Sequence, residues 1–261
     1  MKTFRPLLFF AALLLLVGLA CQALSGGGGN PATQQPAEPT EPPAAPTESA
    51  PEPTAAPATE PPAPQAEQFF TEEFDNPLSS DWSVFTVTGS DKADADKVTV
   101  EAQNGKLVWD FQSEYVYYYL FYGAFQYQDV RLEVNAENKG RNNNSISLIC
   151  RYDPKVGWYE FNIANNGLYN ILYAEVTKSG KIAYNRITNG GSNAIKQGKE
   201  VNEYSITCIG QELSLSINGD DVNTITEKKY GLSEGGVGVS VSSFNVLPIL
   251  IDMDWIKVSE P

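Results

Sequence analysis

The chain has 261 residues and a formal net charge of −14, from 32 acidic against 18 basic side chains, and it contains no histidine. That balance argues against nucleic acid or an anionic membrane surface as partner. The lack of histidine excludes Ser-His-Asp and Cys-His catalysis and imidazole metal sites. Any enzyme here would have to work with carboxylates, Lys, Tyr or an oxygen-ligated metal.

Residues 1–21, MKTFRPLLFFAALLLLVGLAC, open with Lys2 and Arg5, run apolar from Leu7 and end in small residues before Cys21. A charged n-region, a short h-region and a small-residue cleavage region make a signal peptide. The apolar run is short, and Gly- and Pro-rich sequence follows it instead of the charged flanks of a membrane helix. The VGLAC ending resembles a bacterial lipoprotein lipobox. That resemblance implies lipidation at Cys21 and an exported protein held at the cell surface by lipid alone. Residues 22–66 form a linker of Gly, then Pro, Ala, Thr and Glu, without an aromatic side chain; thirteen of the chain's 17 prolines lie before residue 67. Such a segment cannot bury enough apolar surface to offset chain entropy, so it is expected to be a disordered, semi-rigid spacer.

Residues 67–261 are the expected folded domain, with 16 basic and 27 acidic side chains once Lys2, Arg5 and five linker glutamates are set aside. Alternation of apolar and polar residues predicts strands in KVTVEA, KLVWDF, VRLEVNA, SISLICRY, WYEFNI, YNILYAEV, KIAYNRI, EYSITCI, ELSLSI, GVGVSV and ILIDMDWIKV. Turn signals separate them: NG at 104–105, KSG at 178–180, NGG at 189–191 and NGDD at 218–221. Many short strands without helical periodicity predict an all-β fold, a two-sheet antiparallel jelly-roll sandwich.

EYVYYYLFYGAFQY, residues 114–127, holds eight aromatic side chains. As a strand it would place Tyr117, Tyr119 and Phe121 on one face and Tyr118, Leu120 and Tyr122 on the other. Either set could be core. In RYDPKVGWYEFNI, Tyr159, Phe161 and Ile163 alternate as a core face, so Trp158, Glu160 and Asn162 point the other way, with Arg151 beside them. A sugar ring packs its C–H face on an aromatic ring while charged and amide groups bond its hydroxyls. Trp158, Arg151 and Glu160, with Tyr117 and Tyr119, are therefore the candidate ligand-binding set; Trp158 as a packing lid is the alternative. Cys150 and Cys208 both alternate with core residues. In an exported domain they can form a disulfide, and two buried thiols are the other reading. No cofactor is expected, although Asp75, Asp252 and Asp254 could gather as oxygen ligands of a structural calcium ion.

The order of FTEEFDNPLSSDWSV, LICRYDPKVGWYEFNI, NEYSITCIGQELSLSINGDDV, GGVGVSV and IDMDWIKV, spanning residues 69–258, resembles the concanavalin A-like lectin/glucanase superfamily, in its laminin G-like and 3-keto-disaccharide hydrolase-like branches. That superfamily includes lectins, glycosidases and adhesion modules, so the likeness leaves function open. Its glucanases carry Glu-x-Asp-x-Glu on one strand; here EVNAE has Glu133 and Glu137 but Asn135 in the middle. The expected function is non-catalytic binding of a polysaccharide or glycan. The alternatives are a glycoside hydrolase or lyase using Glu133, Glu137 or Glu160 on a concave face, and a protein-binding adhesion module.

Overall fold

The computed structural model describes residues 67–261. The signal segment 1–21 with Cys21 and the linker 22–66 lie outside the described residues. Fifteen strands succeed one another: β1 (Phe70–Glu72), β2 (Trp82–Thr88), β3 (Val98–Ala102), β4 (Leu107–Phe111), β5 (Val116–Tyr127), β6 (Val130–Asn138), β7 (Asn144–Asp153), β8 (Gly157–Ala164), β9 (Leu168–Val176), β10 (Ile182–Gly191), β11 (Val201–Ile209), β12 (Glu212–Ile217), β13 (Asp220–Thr226), β14 (Gly235–Ser243) and β15 (Ile249–Ser259). Among the described residues the only helix is a 3-10 turn at Ala95–Lys97, capped by Asp94, whose side chain accepts from the Asp96 amide.

The strands pair antiparallel into two sheets. One runs β13-β12-β11-β6-β15-β4-β3, with β1 also on β15; the other runs β10-β9-β8-β7-β14-β5-β2. This is the expected two-sheet sandwich. Alternation explains it strand by strand: Leu107, Trp109 and Phe111 of β4 are fully buried while Val108 and Asp110 between them are not. The NG pairs make tight hairpins. Asn104–Gly105 and Asn218–Gly219 all have positive φ, as a two-residue turn matched to strand twist requires. The NGG at 189–191 was expected to be a turn and is instead the end of β10. A Cβ on Gly190 would come within 2.7 Å of Tyr169 Cζ, so the glycine is there to admit a ring.

The main core lies between the sheets, where β4, β6, β11, β12 and β15 face the inward residues of β5, β7, β8, β9 and β14. Cys150 of β7 and Cys208 of β11 form a disulfide there, Cα to Cα 6.7 Å, and so tie one sheet to the other.

Candidate functional site

Over residues 116–122 both faces of β5 are apolar, and both are buried or half-buried. Val116, Leu120 and Tyr122 enter the main core with Tyr118 packed against it. Tyr119 and Phe121, with Tyr117 at the margin, build a second apolar cluster on the outer face of the seven-stranded sheet. The strands beside β5 make room for these rings with small residues. Ser242, Ser240 and Gly238 of β14 stand opposite Tyr117, Tyr119 and Phe121, and Ser145, Ser147 and Ile149 of β7 stand beyond them. A Cβ on Gly238 would meet Phe121 Cδ1 at 2.8 Å. Over Phe121 lies Tyr152, stacked at 3.6 Å between centroids, and Trp158 meets Phe121, Tyr119 and Tyr152 edge-on at 5.2, 5.5 and 5.8 Å.

This face curls. Tyr184 of β10 is five strand positions from Tyr119 of β5, about 24 Å across a flat sheet. That is more than two tyrosine side chains can span, yet their hydroxyls are 2.7 Å apart. Phe85 of β2 likewise reaches to 6.2 Å from Trp158 of β8. The outer face is therefore concave, and tyrosines bridge it.

Under the bridge sits Glu160. Its carboxylate accepts from Ser147 Oγ at 2.8 Å, Trp158 Nε1 at 3.1 Å and the Tyr119 hydroxyl at 3.2 Å. Burial pushes its pKa up, and the three donors pull it partly back. Burial and the nearby Glu160 charge also raise Tyr119 and Tyr184. The result is a chain of hydrogen-bonded groups from a buried carboxyl to Tyr184, which is 38% exposed.

Four of the five predicted ligand-binding residues, Tyr117, Tyr119, Trp158 and Glu160, share this face. Trp158, expected as an open stacking platform, is only 1% exposed; the curl folds neighbouring rings over it, so the packing role prevails. Arg151 does not join them. Its backbone is left-handed, φ 55°, at an irregularity between Cys150 and Asp153 that reverses the alternation. The guanidinium turns away, 2% exposed, to donate to the Leu232 and Gln128 carbonyls at 2.7 and 3.1 Å, and Tyr152 takes its place on the concave face. Glu133 and Glu137 belong to β6, in the other sheet, on the face away from the core. Glu133 pairs with Arg131 at 2.9 Å and Lys257 at 3.3 Å, and Glu137 pairs with Lys139 at 2.7 Å. The sandwich lies between them and Glu160. Asp254 pairs with Lys106 at 3.4 Å, and among the described residues no three His, Cys, Asp or Glu side chains gather to hold a metal.

Beside Trp158 opens a cleft of about 270 Å³, walled by Phe85, Tyr152, Pro154, Val176 and Ile182, with Gly180 at its rim. Apart from Trp158, sequence reasoning named none of these. Their placement depends on the curl and on the bulge at Arg151, neither of which alternation encodes.

A family model described as the 3-keto-alpha-glucoside-1,2-lyase-like domain matches residues 70–245. The chain belongs to that family. Among solved structures, the chain is similar to the Bacillus licheniformis β-glucanase, at 16% identity over 76% of this chain and 100% of that one, with a TM-score of 0.51. It is also similar to a Bacteroides ovatus mixed-linkage glucan GH16 protein in complex with product, at 14% identity over 73% and 99%, with a TM-score of 0.52. A Bacillus subtilis protein of unknown function with a galectin-like fold matches at 10% identity over 73% and 94%, with a TM-score of 0.52. At these identities the likeness establishes the shared jelly-roll fold and nothing further. No functionally curated protein matches the chain.

Proposed function

We propose that residues 67–261 form a non-catalytic carbohydrate-binding domain, exported and held at the cell surface by lipid on Cys21. The observation that carries this reading is the aromatic cleft beside Trp158. Its volume, about 270 Å³, is near the lower end of ligand pockets and suits one sugar ring. Phe85 and Tyr152 present part-exposed ring surface to it, as stacking on a sugar C–H face requires. Family membership supports a glycan as the ligand class. Glucanase-type hydrolysis needs two carboxyl groups on either side of the scissile bond, roughly 5 to 9.5 Å apart. Glu160 is enclosed by three donors, and Glu133 and Glu137 stand on the opposite surface of the sandwich.

The test is a screen of neutral glycans followed by calorimetric titration of the best ligand. Phe85→Ala and Tyr152→Ala should each weaken binding roughly tenfold while the protein stays folded. Trp158→Ala is a poor probe, because removing a buried indole costs about 3–5 kcal/mol of stability. The reading fails if no neutral glycan binds, or if both variants bind as the parent does.

A hydrolase or lyase using Glu160 is the second reading. The hydrogen-bonded chain from Glu160 through Tyr119 to Tyr184 favours it, since such a chain can move a proton between a buried acid and the surface. Cleavage of any glycan that disappears in Glu160→Gln would establish it.

A further inference from the structure

A second depression lies away from the concave face, where the loop between β6 and β7 meets the start of β15 and the segment before β11. It has a volume of about 460 Å³, and Lys139, Arg141, Asn142, Lys199, Pro248 and Leu250 are among the residues that line it. Three basic residues border it and no acidic residue lines it, on a domain with 27 acidic and 16 basic residues, although Glu137 and Asp252 flank Lys139. Lys139 is held by Glu137 at 2.7 Å; Arg141 and Lys199 make no ion pair among the described residues.

The walls are built, not loose. Lys139 and Gly140 donate backbone N–H groups to the Leu250 carbonyl at 2.8 and 3.1 Å, and Arg141 donates to the Pro248 carbonyl at 2.9 Å. Gly140 sits against β15 so closely that a Cβ there would come within 2.7 Å of the Pro248 oxygen. Buried Asn144 donates to the Arg141 carbonyl at 2.8 Å and to Asn138 Oδ1 at 3.3 Å. Asn138 donates to the Gly198 carbonyl at 2.8 Å, and Asn142 Oδ1 accepts from the Gly198 amide at 3.2 Å. That last bond engages only the oxygen of the Asn142 amide, so its NH₂ keeps its donor capacity.

We propose that this pocket binds an acidic saccharide unit, one carrying a carboxylate or a sulfate. Arg141 offers a planar fork that matches either anion, and Lys199 adds a second point charge. Pro248 and Leu250 supply an apolar floor for the C–H face of the ring, and the Asn142 amide a donor for a hydroxyl. The site needs no residue of the cleft beside Trp158, so it stands or falls apart from the binding proposed there.

The experiment titrates the protein with an oligogalacturonate, its fully methyl-esterified counterpart and a sulfated oligosaccharide of similar length. At least one acidic probe should bind, the ester should not, and raising NaCl from low to molar concentration should weaken binding about fivefold or more as charges are screened. Arg141→Ala combined with Lys199→Ala should weaken acidic-probe binding roughly tenfold or more. Both side chains are exposed, so the same variant should keep its melting temperature and any neutral-glycan binding. The carboxylate and sulfate arms tell which anion the pocket takes. Binding of neither acidic probe, equal binding of the ester, or unchanged binding in the double variant overturns the proposal.

Discussion

Two buried carboxylates show how a residue's surroundings set its charge, and they point in opposite directions. Burial raises Glu160 above its ordinary value of 4.5, more than its three donors lower it. Burial acts on Glu227 too, but the Tyr159 hydroxyl and the backbone N–H groups of Tyr230, Lys229 and Gly231 outweigh it and hold its pKa low. For Glu160 the stabilising contribution is full below the unfolded value and is lost as pH rises through the raised folded one. For Glu227 it is present above the unfolded value and lost as pH falls through the lowered folded one. Melting temperature against pH should therefore change shape in the two variants. Glu160→Gln should gain on the parent from acid to neutral pH, and Glu227→Gln should lose most at neutral pH. Curves parallel to the parent's would contradict this account. Neither shift could be read from sequence, because Glu160 and Glu227 occupy strand and loop positions that look like solvated ones until the fold closes around them.

At the scale of elements, alternation was a sound guide wherever a strand is regular. Eleven predicted strands correspond to β3, β4, β6–β12, β14 and β15, and the choice left open in the tyrosine stretch resolves as the even-numbered set in the main core and the odd-numbered set in the second cluster. Alternation failed at Arg151, where one left-handed residue exchanges faces, and it says nothing of curvature, which is why Trp158 read as open. β1, β2 and β13 lie outside the eleven; β13, DDVNTIT, escapes alternation because its polar residues leave little apolar rhythm on an edge strand. The glycines of β14 carry the complementary information. Gly238→Ala would press a methyl group against the Leu120 carbonyl at 2.7 Å and the Phe121 ring. It should cost about 1–3 kcal/mol by chemical denaturation. Gly123→Ala in β5 meets nothing within 4 Å and should be close to neutral. Equal effects at the two positions would show that β14 does not set the seat of the aromatic layer.

For the whole molecule, fold class was legible because an all-β domain without helical periodicity has few ways to bury two-sided strands. The site is half legible: the aromatic strand, Trp158 and Glu160 follow from alternation, and the cleft that Phe85, Tyr152, Val176 and Ile182 complete does not. Beyond the chain's own crossovers, the two sheets are cross-linked by the bond between Cys150 and Cys208, 58 residues apart in sequence. A loop of that length restricts the unfolded chain by about 4 kcal/mol in the chain-entropy account. Cys150→Ala with Cys208→Ala should lower unfolding free energy by about that much. A loss under about 1 kcal/mol would mean that the unfolded chain gains little freedom from the cut.

The same bond has a mechanical side. Phe70–Glu72 of β1 run antiparallel to Ile256–Val258 of β15, so the chain enters and leaves the sandwich at one end of a single strand pair. Tension between residues 67 and 261 would act on that pair rung by rung, like a zipper, resisted also by the Tyr122 and Tyr127 hydroxyls that grip the carbonyls of Glu67 and Gln68 and by the packing of Phe69 and Phe70 on Tyr127 and Tyr122. Peeling should begin at low force. The extension should then stop short, because the covalent link shields 58 residues, about 200 Å of contour at full stretch. Single-molecule pulling with and without reductant would measure that missing length directly.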